Sequence, residues 1–350
     1  MASKNRATRA RAKFALDRLE QKEYFIPMSL IPWAVMAGGS LLAGHYNPIA
    51  QPGEEGYTTM PKHHLRVLFE NDSAFGNDGN YSHGTRIDYA QSLENGDAWG
   101  ISLVQNIYTP ETHTDGAVPG ERPYAGYMAV GAAYLLRGEN FGASTELQVG
   151  TTGNPSIARY TQNGLHEACG MQTWDGWGEQ VPAEATVQLN MRQDFRLPWL
   201  EFDCGNGWQT DATFFTREDV GTAFIRGGAG LSVRYGVNLP ASMQVNGNRA
   251  GNFGIGLLDK PGYRRDVTSY FLVASIYTEF VAHDITIDGG VVHHFDQTCS
   301  RKPWQVEAQF GLGVSHGGID YFAGAVYHSP MYRTQKTEAV YGTFCATWHF

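Results

Sequence analysis

The stretch Leu65-Arg66-Val67-Leu68-Phe69-Glu70-Asn71-Asp72 decides how this chain is read. Leu65, Val67 and Phe69 alternate with Arg66, Leu68 and Glu70, and the run ends on two small polar residues. Alternation sends successive side chains to opposite faces of a strand, so one face is apolar and the other carries charge. The pattern returns downstream. Val187, Leu189 and Met191 alternate with Thr186, Gln188, Asn190 and Arg192, and Ile285 and Ile287 alternate with Asp284, Thr286 and Asp288. Arg, Asp and Gln in mid-strand suit a polar lumen, which a water-soluble core would not supply. The sequence therefore predicts an all-β, transmembrane antiparallel β-barrel.

About 12 crossings are expected, near 64–71, 83–92, 97–107, 124–136, 143–152, 184–196, 219–236, 267–281, 284–297, 303–316, 318–329 and 339–350. A further run at 207–217 also has strand character. Single-chain bacterial barrels use even strand numbers, so 207–217 is assigned to an inner-side segment or to one long bent strand. Short connections at one end comprise Glu94-Asn95-Gly96-Asp97, Gly138-Glu139-Asn140, Ala282-His283 and Ser315-His316-Gly317-Gly318. Those at the other end are mostly longer: 72–82, 108–123, 153–183, 237–266, 298–302 and 330–338. Short inner turns and long outer loops mark outer-membrane barrels; the 197–218 segment is the misfit. The chain ends Thr347-Trp348-His349-Phe350, which resembles the C-terminal assembly signal of bacterial outer-membrane proteins.

Composition agrees. Only 17% of the 350 residues are charged, against about a quarter in soluble domains, while 13% are aromatic and 42 are glycine. Mean hydropathy is −0.34, and alternating strands average to a soluble-looking value. The net charge of −9, with no basic patch interleaved with aromatics, disfavours a nucleic-acid partner. Cys169, Cys204, Cys299 and Cys345 form no CxxC or zinc spacing. Their even count permits disulfides in an oxidising compartment, and no pairing is assigned.

Residues 1–23 carry Lys4, Arg6, Arg9, Arg11, Lys13, Arg18 and Lys22, and 26–44 is apolar, broken by Pro27 and Pro32 and ending Leu41-Leu42-Ala43-Gly44. Basic start, apolar middle and small-residue end predict an export signal over 1–44, or else an uncleaved N-terminal extension. Residues 45–62 are a linker, and the barrel occupies 63–350.

Four polar clusters fall at the long-loop end: Glu70-Asn71-Asp72; Tyr81-Ser82-His83-Gly84; Arg122-Pro123-Tyr124-Ala125-Gly126; and 162–180, which holds His166. Polar groups gathered at one rim suggest a site. A short helix over about 155–169 would put Gln162 and His166, four apart, on one face. Taken alone, Asn71-Asp72 is a turn former, and His166 is a solvated loop histidine. Arg122 either touches an anionic phosphate or packs its loop. Asp78 and Asn80 either shape the first outer loop or serve a calcium ion. Trp174, Trp177 and Tyr127 are girdle or packing residues, and His293-His294 on opposite faces of a strand make a poor metal site.

Glu70-Asn71-Asp72 followed by Tyr81-Ser82-His83-Gly84-Thr85-Arg86 resembles the "END…YTNGxR" opening of the outer-membrane lipid A 3′-O-deacylase family. Tyr108-Thr109-Pro110 with Arg122 to Gly126 is similar to its "TP…RPYAG" block, and Gly150, Gly153, Gln162, His166 and Gly176-Trp177-Gly178-Glu179-Gln180 to its "G…G…Q…H…GW..Q" block. The resemblance implies a twelve-stranded, calcium-dependent barrel that hydrolyses the 3′-linked acyloxyacyl ester of lipid A. It implies catalytic roles for Asn71, Asp72, Ser82 and His166, with His166 as general base. It also implies calcium near Asp72 and Asn71, polarising the carbonyl, and lipid A contacts from Arg122 and Gln162. The protein is then expected in the bacterial outer membrane as a monomer. Two positions depart from the family. Ser82 replaces its Thr and keeps the hydroxyl; His83 replaces its Asn and adds a second imidazole. No acidic support for His166 is evident at Gln172 or Thr173, and Glu167 and Glu184 are the nearest candidates.

Two other readings compete: a barrel hydrolase acting on phospholipids, and a non-enzymatic pore or structural barrel. A narrow barrel filled by side chains disfavours a wide pore, and the lack of GxSxG disfavours an α/β serine hydrolase.

Overall fold

The computed structural model describes residues 61–75, 79–112, 116–240, 253, 257–259, 263–293, 295–296 and 298–350. The expected export signal over 1–44, most of the 45–62 linker, Asp78 and His294 lie outside the described residues. In chain order the strands are β1 (His63–Asn71), β2 (His83–Ser92), β3 (Ala98–Tyr108), β4 (Ala125–Arg137), β5 (Phe141–Thr152), β6 (Ala185–Arg196), β7 (Phe202–Gly205), β8 (Trp208–Gly221), β9 (Phe224–Val237), β10 (Ser269–Asp284), β11 (Trp304–His316), β12 (Ile319–His328) and β13 (Ala339–His349). All pair antiparallel with their neighbours, β1 with β13 and β6 with β8, so twelve strands close a barrel. The four-residue β7 pairs only with the start of β8 and lies outside the ring.

The count is right through two opposite errors. The run at 207–217 is barrel strand β8, and 284–297 is not a crossing. The Asp284 carboxylate accepts the Thr286 N–H at 2.9 Å and turns the chain into a single helical turn, α2 (Ile285–Asp288). Ile285 and Ile287 are both fully buried there, so their short alternation carried no strand information. His293 accordingly lies on no strand. Ala282-His283 is no turn either: it sits in β10, which bulges between Val281 and His283. Restoring β8 also moves the 238–268 connection to the inner rim, where β1 begins and β13 ends, and makes 197–207 an ordinary inner connection. The outer rim carries the connections 72–82, 109–124, 153–184, 285–303 and 329–338, and a short β8–β9 link.

The lumen is filled. Arg66 pairs with Asp88 at 2.9 Å, Arg86 with Asp88 at 2.7 Å and Glu146 at 2.9 Å, and Arg192 with Asp194 at 2.6 Å, all buried. From the inner rim Phe253 enters among Ala90, Ala98, Ala133 and Leu135. It takes the space where a side chain at Gly100 would stand. The opposite face of the wall is apolar and open: Val130, Leu147, Val149, Ile276, Phe310 and Leu312 are all more than half exposed. Such a band belongs against lipid.

Candidate active site

Strand parity decides which face of the wall each polar residue serves. On β1, Leu68 and Glu70 face the lumen, so Phe69 and Asn71 face out; on β2, Arg86 and Asp88 face in, so His83, Thr85 and Ile87 face out. The register aligns Asn71 with His83, His83 with Ile107 on β3, and Ile107 with Gly126 on β4. These four residues form a row on the lipid-facing side of the outer rim.

Asn71, Asp72 and Ser82 are tied to this row. The Asn71 amide donates to the Ser82 carbonyl at 3.0 Å, and its Oδ1 accepts the Ser73 N–H at 2.9 Å. Asp72, 2% exposed, accepts the Gly79 N–H at 2.8 Å. Ser82 Oγ lies 2.6 Å from Thr109 Oγ1, and the Ser82 N–H donates to the Ile107 carbonyl at 3.1 Å.

His166 arrives from above on α1 (Ala158–Cys169). The helix docks where Gly126 leaves room: a Cβ there would collide with Ser156 Oγ and Ala158 Cβ. The Gln105 amide, facing out from β3, donates to the Ser156 carbonyl at 2.7 Å and holds the preceding turn. Ala158 and Trp177 pack on Ile107 and Tyr124. Gln162 and His166 share the buried face of α1, as their spacing predicts. Gly170, with φ of +68°, ends the helix, and the His166 carbonyl accepts the Met171 N–H at 2.7 Å. The chain then folds back so that Gln172 offers its carbonyl to His166 Nδ1 at 2.5 Å. A carbonyl only accepts, so Nδ1 carries the proton and Nε2 of the neutral ring keeps its lone pair. Trp174 stands edge-on to this ring at 6.2 Å.

The main chain thus supplies the support expected from an acid. Glu167 is exposed on α1, and Glu184 is committed elsewhere. Its carboxylate accepts the N–H groups of Val291, Val292 and His293 at 2.8–3.2 Å. Burial pushes this carboxyl up, and the hydrogen bonds from His293, Val292 and Val291 outweigh it and hold it below its ordinary range.

Arg122 does not join the outer row. It is fully buried under the outer loops, donating to Thr286 Oγ1 at 2.7 Å with its guanidinium 4.2 Å over the Tyr108 ring. These contacts pack its loop; they do not test the expected lipid contact. Tyr127 faces the lumen, its ring against Phe224 and its hydroxyl donating to Gln148 at 3.1 Å. All four cysteines are free thiols. Sequence reasoning missed Thr109 and Gln105. Gln105 finds its place only once the strand register carries the outward face of Asn71 across β2 to β3.

For a divalent cation the donors here are one carboxylate, Asp72, with the neutral oxygens of Asn71, Ser82 and Thr109. Hard oxygen donors suit calcium. Among the described residues no group of three or more His, Cys, Asp or Glu is placed to hold a metal.

The architecture is that of a β-barrel membrane protein with polar residues aligned at the outer rim of its lipid-facing wall. A family model described as outer membrane protein LpxR matches residues 35–350. The chain belongs to this family and is a protein of the outer membrane. LpxR from Salmonella typhimurium is similar in fold, with a TM-score of 0.67 at 17% identity, covering 82% of this chain and 100% of that one. The β domain of the Bordetella autotransporter BrkA is a more distant likeness, with a TM-score of 0.41 at 11% identity over 83% of this chain and 99% of that one. No curated protein sequence matches.

Proposed function

We propose that this protein is an outer-membrane lipid A deacylase that hydrolyses the 3′-linked acyloxyacyl ester. The observation that carries the reading is the His166 tautomer above an outward-facing row. Nδ1–H is spent on Gln172 O, so Nε2 is the basic nitrogen, and the row beneath it faces the phase where an acylated lipid resides. A lumen site would have to draw a lipid through a wall closed by ion pairs.

In the proposed reaction His166 Nε2 removes a proton from water as the water oxygen bonds to the ester carbonyl carbon. The sugar-side oxygen then leaves with the acyl bond broken and takes the proton back from His166, giving a sugar hydroxyl and a free acyl carboxylic acid that loses its proton to solvent. Asn71 and the Ser82–Thr109 hydroxyl pair orient the ester beneath the imidazole. Gln162, one turn before His166 on the same buried face, lines the space for substrate or water. Asp72, Asn71 and Ser82 would hold calcium, and the ion would polarise the carbonyl. One chain supplies every group named, consistent with action as a monomer.

The test is mass spectrometry of lipid A after incubation with refolded protein in detergent, with calcium and with chelator. The reading expects calcium-dependent loss of one acyloxyacyl unit. Intact lipid A under both conditions with the barrel assembled, or cleavage of phospholipid in its place, would overturn it.

A further inference from the structure

His83 is the side chain in the outer row that the proposed reaction leaves unused. It is 3% exposed, so the ring is built into the wall. Its Nε2 lies 2.8 Å from Thr85 Oγ1. Its Nδ1 is buried and has no hydrogen-bond partner among the described residues. Around it the other outward polar groups are committed. The Asn71 amide serves Ser82 and Ser73, the Gln105 amide serves Ser156, and the Thr85 hydroxyl serves His83 itself. Buried polar atoms in folded proteins are mostly satisfied, and an exception calls for an explanation such as a role in the site's chemistry or a bound water or ion. Phe69 stands edge-on to the imidazole at 4.9 Å and is itself 40% exposed. It is a cover that a lipid lying along the wall can displace.

We propose that His83 is a substrate-positioning residue whose Nδ1 donates a hydrogen bond to an oxygen of the bound lipid's headgroup, beside the ester that reaches His166. The assignment rests on the deacylase reading for the identity of that ester, and on the wall geometry for the contact. With the Thr85 hydroxyl donating to Nε2, Nδ1 carries the ring's proton and offers a donor. Headgroup ester, amide and phosphate oxygens are all acceptors. The ring needs no charge and transfers no proton. It fixes where the headgroup stops along the row, one strand over from Asn71, and so which ester lies under Nε2 of His166.

The test uses the full chain refolded in detergent, with His166→Ala as the parent so that lipid A is held without turnover. The Kd for lipid A is compared across the parent, the parent with His83→Phe, and the parent with His83→Asn. Phe keeps a ring against Phe69 and removes the donor; Asn restores an N–H. The proposal expects about tenfold weaker binding for His83→Phe, the worth of one hydrogen bond, and partial recovery for His83→Asn. In the chain with native His166, KM rises for His83→Phe while kcat changes little. Equal affinity of His83→Phe and parent, with both barrels shown folded by heat-modifiable gel mobility, would overturn the proposal. So would failure of the parent to bind lipid A.

If the parent binds and the native chain cleaves nothing, the deacylase reading falls and the His83 contact is judged on the binding arm alone. Repeating the titration with lipid A stripped of both phosphates separates the acceptors: loss of the His83 effect identifies a phosphate, and its persistence an ester or amide oxygen. The 15N shift of His83 Nδ1 in the unsubstituted chain, which should move on adding lipid A, gives the same answer should a variant not assemble; an unmoved shift counts against the contact.

Discussion

Glu70 and Asn71 are neighbours in the chain and are separated by the barrel wall. Glu70 is fully buried in the lumen and accepts the Tyr81 hydroxyl at 2.6 Å. Asn71 faces the lipid and anchors the row that ends at α1. The lumen holds buried ion pairs, and their charge is spent internally: Arg66, Arg86 and Arg192 each grip a carboxylate. The outer wall is mostly apolar, with polar groups in the row at the outer rim and in a second patch of Gln193, Thr216 and Glu218 between β6 and β8. Polar side chains inside a filled barrel stabilise it, whereas polar side chains on a lipid-facing surface call for a functional reason. The two faces should therefore respond to substitution in opposite ways.

The largest expected effect is on the outer face. His166→Ala should lower kcat about a thousandfold, in line with loss of a general base, while the barrel assembles as before. Lipid A mass spectrometry beside gel mobility reads both. Retained turnover would remove His166 from the chemistry. Next is the dock beneath it. Gly126→Val forces α1 off the wall, and misplacing a catalytic group by about an ångström costs about a hundredfold. The expected signature is a fall in kcat with unchanged β-sheet circular dichroism.

The lumen should behave the other way. Arg86→Ala leaves Asp88 and Glu146 buried without their shared cation, and breaking such a pair costs about 3–5 kcal/mol. Denaturant unfolding in detergent should show that loss, with turnover of the folded fraction within about twofold of the parent, since no contact made in the transition state is removed. A collapse of turnover at full folding would erase the contrast between the faces.

The smallest effect concerns the loops. Glu184 binds the backbone N–H groups of Val291, Val292 and His293 in its ionised form, and its folded pKa is lowered from 4.5. A depressed carboxylate contributes stability that is present above its unfolded value and lost as the pH falls through the folded one. Proteolysis of the 285–303 loop should therefore rise as the pH drops below about 4.5, the unperturbed glutamate range. In Glu184→Gln the loop should be cut readily at neutral pH, with little further change on acidification.

The barrel was legible because alternation is a strong signal over ten or more residues. It failed where the run was short. Asp284-Ile285-Thr286-Ile287-Asp288 alternates, yet one side-chain hydrogen bond from Asp284 turns it into a helical turn. That single misreading displaced β8 and put the 238–268 connection at the wrong rim. The motif residues Asn71, Asp72, Ser82, Gln162 and His166 were visible in the chain, and so was the shared face of Gln162 and His166. What the sequence could not show was the face of the wall, because that depends on register between strands. Gln105 was missed for this reason; Thr109 stood in the Tyr108-Thr109-Pro110 block but was given no site role. The support of His166 by the Gln172 carbonyl was hidden for another: a main-chain acceptor has no residue-type signature.

The most direct test of the outward-facing site is photocrosslinking. A benzophenone amino acid is placed singly at Phe69 or Thr85, on the lipid side, and at Leu68 or Arg86, on the lumen side, and each assembled barrel is irradiated with lipid A. Adducts at positions 69 and 85 with none at 68 and 86 are the predicted result. Adducts confined to 68 and 86 would place the substrate in the lumen and contradict the account.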